Sequence, residues 1–177
     1  MTDADQFEAF VRRYQDMVFA TAVRLLGNPT EAEDIAQTVF MRAFQRFDEL
    51  GPSQTAAGWL KAVTRNMCLN HLSRYRRRWK FFSELAAPDE SSEGTPPPEL
   101  LAVAASVADD LERSERHARL ERALRELPDH QRVPLVLFHF EEMSYQDIAQ
   151  TLGVSLGKVK TDIHRGREAL RLRLGTE

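Results

Sequence analysis

Apolar residues recur at three- and four-residue intervals along most of this chain, the period of a helix that buries one stripe. From about Gln6 to Leu26, Phe7, Phe10, Val11, Tyr14, Val18, Ala22 and Leu25 fall on one face, and Gly27-Asn28-Pro29 ends the run. Thr30 with Glu33 predicts a capping box for a second helix, on which Ile35, Ala36, Val39, Phe40, Ala43 and Phe47 make the stripe. Gly51-Pro52-Ser53 breaks that helix. A third begins between Thr55 and Gly58 and carries Trp59, Leu60, Val63, Met67 and Leu72. Three helices on short loops predict a compact helical domain, and because no segment alternates apolar and polar residues, little or no sheet is expected.

The pattern then lapses. Ser83 to Pro98 holds Asp89, Glu90, Ser91, Ser92, Glu93, Gly94 and three consecutive prolines, a composition that cannot bury enough surface to offset chain entropy. Helical spacing returns with Leu100, Val103, Ala104, Val107 and Leu111, and continues with Leu120, Leu124 and Leu127. Pro128-Asp129 opens a further helix with Val133, Val136, Leu137 and Phe140 inside. The expected architecture is all-α, with a first domain over residues 1–82, an acidic linker over 83–114 and a second domain over 115–177.

The last third carries the sharpest local signal. Ser144, with Asp147 three residues on, predicts a capped helix bearing Ile148, Ala149 and Leu152, and Gly153 supplies a left-handed stop. Ser155 caps the next helix, on which Val159 and Ile163 face inward and Gly157, Lys158, Lys160, Thr161, His164 and Arg165 are left outside. This is the layout of a helix-turn-helix, whose second helix enters the major groove. Ser155, Lys158, Lys160, Thr161, His164 and Arg165 are the candidate DNA contacts, with Arg167 and Arg171 placed on phosphate or on an acidic partner.

Charge distribution changes the picture that net charge alone would give. The chain carries −3 overall, but residues 1–83 carry +3, 84–114 carry −7 and 115–177 carry +1. No Asp or Glu occurs between Glu49 and Glu84, whereas Lys61, Arg65, Arg74, Arg76, Arg77, Arg78 and Lys80 do, an electrostatic footprint for phosphate. The 177 residues, 42% hydrophobic, suffice for one large or two small domains. There is no apolar run long enough to span a bilayer, and the acidic start Met1-Thr2-Asp3-Ala4-Asp5 is unlike a secretory signal, so a cytoplasmic protein without membrane insertion is expected. The single cysteine, Cys68, suits a reducing compartment. Cys68, His71, His117, His130, His139 and His164 match no familiar zinc spacing, and no carboxylate cluster or phosphate-cradling loop is present. Neither enzymatic activity nor a metal or cofactor is expected.

Three stretches resemble one family, the extracytoplasmic-function (ECF) sigma factors of bacterial RNA polymerase. Glu31 to Phe47 resembles its polymerase-binding helix, Gly58 to Leu72 followed by Arg76-Arg77-Arg78 resembles its helix for the −10 promoter element, and Leu124 to Leu174 resembles its −35-binding domain. The resemblance implies that Asp34, Gln37, Thr38 and Met41 meet the clamp helices of the largest polymerase subunit, and that Lys61, Arg65, Asn66, Asn70, Arg74 and Arg77 meet DNA at the −10 region. Asparagine can hydrogen-bond exposed base edges while arginine holds the neighbouring phosphates. In the family the loop at about Pro52 to Ala57 helps pocket a flipped base. Core polymerase, through its clamp helices and flap, promoter DNA and an anti-sigma factor are the implied partners. The alternative is a stand-alone helix-turn-helix regulator, binding duplex operators as a dimer. The end at Glu177 predicts no appended C-terminal domain.

Overall fold

The structure, a computed structural model, describes residues 3–72 and 110–175. The linker core, Arg74, Arg77 and the Leu100 to Leu111 pattern up to residue 109 lie outside the described residues. Among the described residues every regular element is a helix, and the helices fall into two compact units.

The first unit comprises α1 (Asp3–Leu26), α2 (Pro29–Phe44), the short α3 (Phe47–Leu50) and α4 (Ala56–His71). Helices α1, α2 and α4 all pack on one another. Val18, Ala22, Leu25, Ala32, Val39, Ala43, Leu60 and Cys68 are wholly buried where they meet. The stripe of α2 enters this seam with small residues, Ala32 and Ala43, both fully buried.

The sequence pattern needs three corrections here. The cap of α2 is Asn28, not Thr30: its side-chain oxygen accepts from the amides of Thr30 and Glu31 at 3.0 and 3.4 Å, and Pro29 occupies the first turn, where its missing N–H costs nothing. Phe47 does not extend α2. The chain leaves the helix at Gln45, and Phe47 opens α3 with its ring on Phe7 and Phe10, 5.1 and 5.5 Å between centroids. On α4 the buried face is Ala56, Leu60, Thr64, Cys68 and Leu69, while Trp59, Val63 and Met67 are half-buried. Thr64 can be buried because its hydroxyl donates to the Leu60 carbonyl, at 2.7 Å.

The second unit comprises α5 (Asp110–Arg125), α6 (Asp129–His139), α7 (Tyr145–Leu152) and α8 (Leu156–Gly175). Helix α8 packs on the other three. Residues 132 to 137 of α6 are all buried, Pro134 among them, so tertiary packing offsets the backbone hydrogen bond that a helix-interior proline forfeits. Arg132, 4% exposed in its side chain, ties the α5–α6 turn: it donates to the Leu127 carbonyl at 2.7 Å and pairs with Asp129. Gly166 sets how closely α8 crosses α6. A Cβ there would lie 2.9 Å from Leu135 Cδ1 and 3.3 Å from the Gln131 carbonyl oxygen.

Candidate functional site

The α7–α8 hairpin is built as its caps and apolar positions dictate. Ser144 Oγ accepts from the Asp147 amide at 3.1 Å and donates to the Asp147 carboxylate at 2.7 Å. Ile148 and Leu152 turn inward, and Gly153, φ 67°, provides the left-handed residue that ends α7. Ser155 Oγ then accepts from the Lys158 amide at 3.1 Å and starts α8, on which Val159 and Ile163 are buried.

The structure divides the candidate DNA contacts of α8. Lys160, Thr161, His164 and Arg165 are exposed, and their spacing of one and four residues makes them a continuous strip along the helix. Ser155 is exposed too, but its hydroxyl is engaged as the cap. Lys158 stands apart. Its Nζ lies 2.7 and 2.6 Å from the two carboxylate oxygens of Asp162, with side chains 14% and 6% exposed. Burial pushes the Asp162 carboxyl above its ordinary range, and the bond from Lys158 pulls it back. Across the helix contact, burial lowers the imidazole of His130 on α6, which also feels Asp162, Lys158 and Arg165.

Further along, Arg167 is folded inward. Its Nε donates to His139 Nε2 at 3.1 Å, its guanidinium carbon lies 5.5 Å from the centroid of Phe138, and one terminal nitrogen is buried without a hydrogen-bond partner. Burial, reinforced by that guanidinium, drops the His139 imidazole to about 4. Arg171 pairs with Glu168 at 2.6 Å, and Arg173 reaches Glu126 at 3.3 Å.

On α2, Asp34, Gln37, Thr38 and Met41 share one face by their three- and four-residue spacing. Asp34 and Gln37 are exposed, Met41 is 66% exposed, and the Thr38 hydroxyl is turned back onto the Asp34 carbonyl at 2.9 Å. Beside them a groove of about 880 Å³ runs between α1 and α2, lined by Phe7, Val11, Phe19, Phe40 and Phe44 with Gln37 and Met41 at its border. Phe44, 59% exposed, belongs to this surface although its position outside the stripe gave no signal.

On α4, Asn66 and Asn70 are exposed on one side, whereas Lys61 and Arg65 are half-buried. At ~100° per residue the two pairs are separated by roughly 140° around the helix, so the described candidates do not form one patch. The loop before α4 lacks aromatics of its own, yet Pro52, Ser53 and Gln54 line a groove of about 940 Å³ together with Phe10, Tyr14 and Phe47. The Ser53 and Thr55 hydroxyls hold that loop, 2.8 Å apart. Among the described residues no cluster of His, Cys, Asp or Glu could hold a metal, and no helix is long and apolar enough to cross a membrane.

Comparison with known proteins matches two family models, the Sigma-70 region 2 over residues 10–78 and the Sigma-70 region 4 over residues 117–170. The ECF RNA polymerase sigma factor SigW of Bacillus subtilis is 32% identical over 173 residues, 97% of this chain and 90% of that protein. The ECF RNA polymerase sigma factor SigE of Mycolicibacterium smegmatis is 36% identical over 168 residues, 93% of this chain and 60% of that protein. Among solved structures, the sigma factor RpoE in complex with the anti-sigma factor NepR from Bartonella quintana aligns over 97% of this chain and 98% of its own, at 22% identity and a TM-score of 0.48.

Proposed function

This chain belongs to the ECF family of RNA polymerase sigma factors, and we propose how its residues divide that work. The protein binds core RNA polymerase, directs it to specific promoters and assists their melting. It supplies recognition to an enzyme and performs no chemistry of its own, and it acts in the cytoplasm. The reading assigns polymerase binding and the −10 element to residues 1–82, a tether to 83–114 and the −35 element to 115–177.

Within the first domain Asp34, Gln37, Thr38 and Met41 meet the clamp helices, and the groove edged by Met41 and Phe44 takes the apolar part of that contact. Asn66 and Asn70 face the −10 bases, and Lys61, Arg65, Arg74 and Arg77 serve the phosphates. The groove at Pro52 to Gln54 accepts the base that melting exposes; Phe10, Tyr14 and Phe47 give it the stacking surface that the loop lacks. In the second domain Lys160, Thr161, His164 and Arg165 read the −35 element while Ser155 and Lys158 shape the start of α8. An anti-sigma factor is a further partner, competing for the polymerase-binding surface.

The observation that carries the reading is the capped hairpin of α7 and α8, with a polar strip on its second helix, in a chain whose other unit exposes a separate apolar groove. A stand-alone operator-binding regulator has no use for the basic residues of α4 or for the Asp34/Gln37 face. The test is transcription in vitro with bacterial core polymerase on a promoter-fragment library, comparing wild type with Asp34→Ala/Gln37→Ala and Lys160→Ala/Arg165→Ala. Start-site-specific transcripts that weaken in both variants support the assigned roles. Tight duplex binding without polymerase binding or transcripts would favour the regulator.

A further inference from the structure

Lys158 and Asp162 form a closed unit on the first two turns of α8. A surface lysine is ordinarily a mobile cation on a flexible stem, free to meet any phosphate in range. Here stem and ammonium are 14% exposed, and the carboxylate that neutralises them is 6% exposed and held within the α6–α8 contact, beside His130. Asp162 is therefore unable to follow Lys158 outward. Opening the pair would strand a desolvated carboxylate, a severe penalty, in exchange for one solvent-screened phosphate contact. The balance keeps the pair closed when DNA arrives.

We propose that Asp162 is a specificity-determining positioning residue that latches Lys158 out of DNA contact, leaving Lys160, Thr161, His164 and Arg165 as the reading strip. This rests on α8 being the −35 recognition helix. A released Lys158 would add a phosphate contact, which strengthens binding to every duplex alike and so erodes the ratio between promoter and other DNA. Asp162 touches no base; it acts by withholding a sequence-blind cation.

The experiment uses the full chain assembled with core polymerase, a promoter selected from the library and the same duplex with its −35 segment scrambled. Binding is followed across a salt series, since each added phosphate contact steepens the log–log salt slope by about 0.9. Asp162→Asn is expected to steepen the slope by that amount and to lower the promoter-to-scrambled ratio several-fold. Lys158→Met should leave the slope at its wild-type value, and Asp162→Asn/Lys158→Met should return there as well. A Lys158→Met slope shallower by about 0.9 would show that the lysine already contacts phosphate and would overturn the latch. So would an unchanged slope in Asp162→Asn. Should Asp162→Asn fail to fold, Asp162→Ser together with Lys158→Met gives the same two readings. Wild-type holoenzyme that did not distinguish the two duplexes would refute the −35 reading itself, and the latch with it.

Discussion

The exposed face of α2 and the Lys160–Arg165 strip of α8 are built on opposite principles, although α8 also leaves Leu172 exposed near its end. On α2 the conspicuous solvent-facing side chains are apolar, Met41 at 66% and Phe44 at 59% exposure, and they border a groove floored by α1. On α8 the exposed strip is polar, and its flanks are cross-tied: Lys158 to Asp162, Arg167 to His139, Arg171 to Glu168 and Arg173 to Glu126. Apolar area left in water is stabilised only by a partner that can bury it, which suits a protein surface. With Lys158 and Arg167 held by buried or part-buried partners, the strip has fewer free cations beside it, which limits sequence-independent attraction. On the proposed roles, the chain would use uncovered apolar area to hold the polymerase and restrained charge to choose the promoter.

The largest test of that contrast is Met41→Ser/Phe44→Ser. If both side chains become buried by core polymerase, their loss weakens assembly by about 3 kcal/mol, on the order of 100-fold. Folding stability should change by less than about 1 kcal/mol, because both are mostly exposed. Equilibrium titration of labelled core polymerase, paired with urea melts, checks both halves. Undiminished assembly would remove the apolar half of the contrast.

Arg165→Ala examines the polar half. Loss of one base-edge contact costs about 2 kcal/mol at the preferred −35 sequence and relaxes the preference there, with polymerase assembly unaffected. Competition between the selected promoter and single-base variants reads it. A uniform loss across all sequences would instead make Arg165 a phosphate contact, an unrestrained cation that adds sequence-independent attraction and weakens the contrast.

A pH prediction follows from the burial of His139, reinforced by Arg167 beside it. The His139 imidazole is lowered from 6.5 to about 4, so the unfolded chain takes up a proton there at a higher pH than the folded one. The contribution is present above 6.5, declines as pH falls through that value and is lost by about 4. Allowing for partial exposure, roughly 1.5 kcal/mol is at stake. Urea melts of wild type and His139→Gln between those limits should converge as acidity rises, and parallel curves would mean that burial does not hold the folded imidazole neutral.

Much of this was legible in the sequence, for identifiable reasons. Ser144, Gly153 and Ser155 are local signals with few competing conformations, so the α7–α8 hairpin follows from them directly. Periodicity placed the seam residues Val18, Ala22, Val39 and Leu60, because a helix has only one way to hide such a stripe. What it could not supply was tertiary. Phe47 fits the period of α2, yet ring packing on Phe7 and Phe10 takes it into a separate turn. Lys158 and Asp162 stand four apart, a spacing that suggests an ion pair, but only the fold shows that Asp162 is buried and that Lys158 is thereby drawn away from the exposed strip. The groove at Pro52 to Gln54 draws its aromatics from α1 and α3, elements other than the loop they complete.

The smallest effects concern where α2 and α7, the helix that leads into α8, begin. Asn28 engages two amides of α2, and Ser144 engages one amide of α7 while donating to Asp147. Replacing either with Ala should cost about 1 kcal/mol, since each leaves first-turn donors to water. Thr30 separates the structural cap from the one that the sequence pattern suggests. It lies two residues inside the cap, exposed, with its amide already accepted by Asn28. Thr30→Ala should therefore stay within about 0.5 kcal/mol of wild type. Urea melts of Asn28→Ala and Thr30→Ala, each also assayed for polymerase assembly, distinguish the two starts. A costly Thr30→Ala beside a neutral Asn28→Ala would start α2 two residues later, free Pro29 from the first turn, and change how the chain enters the helix that carries Asp34 and Gln37.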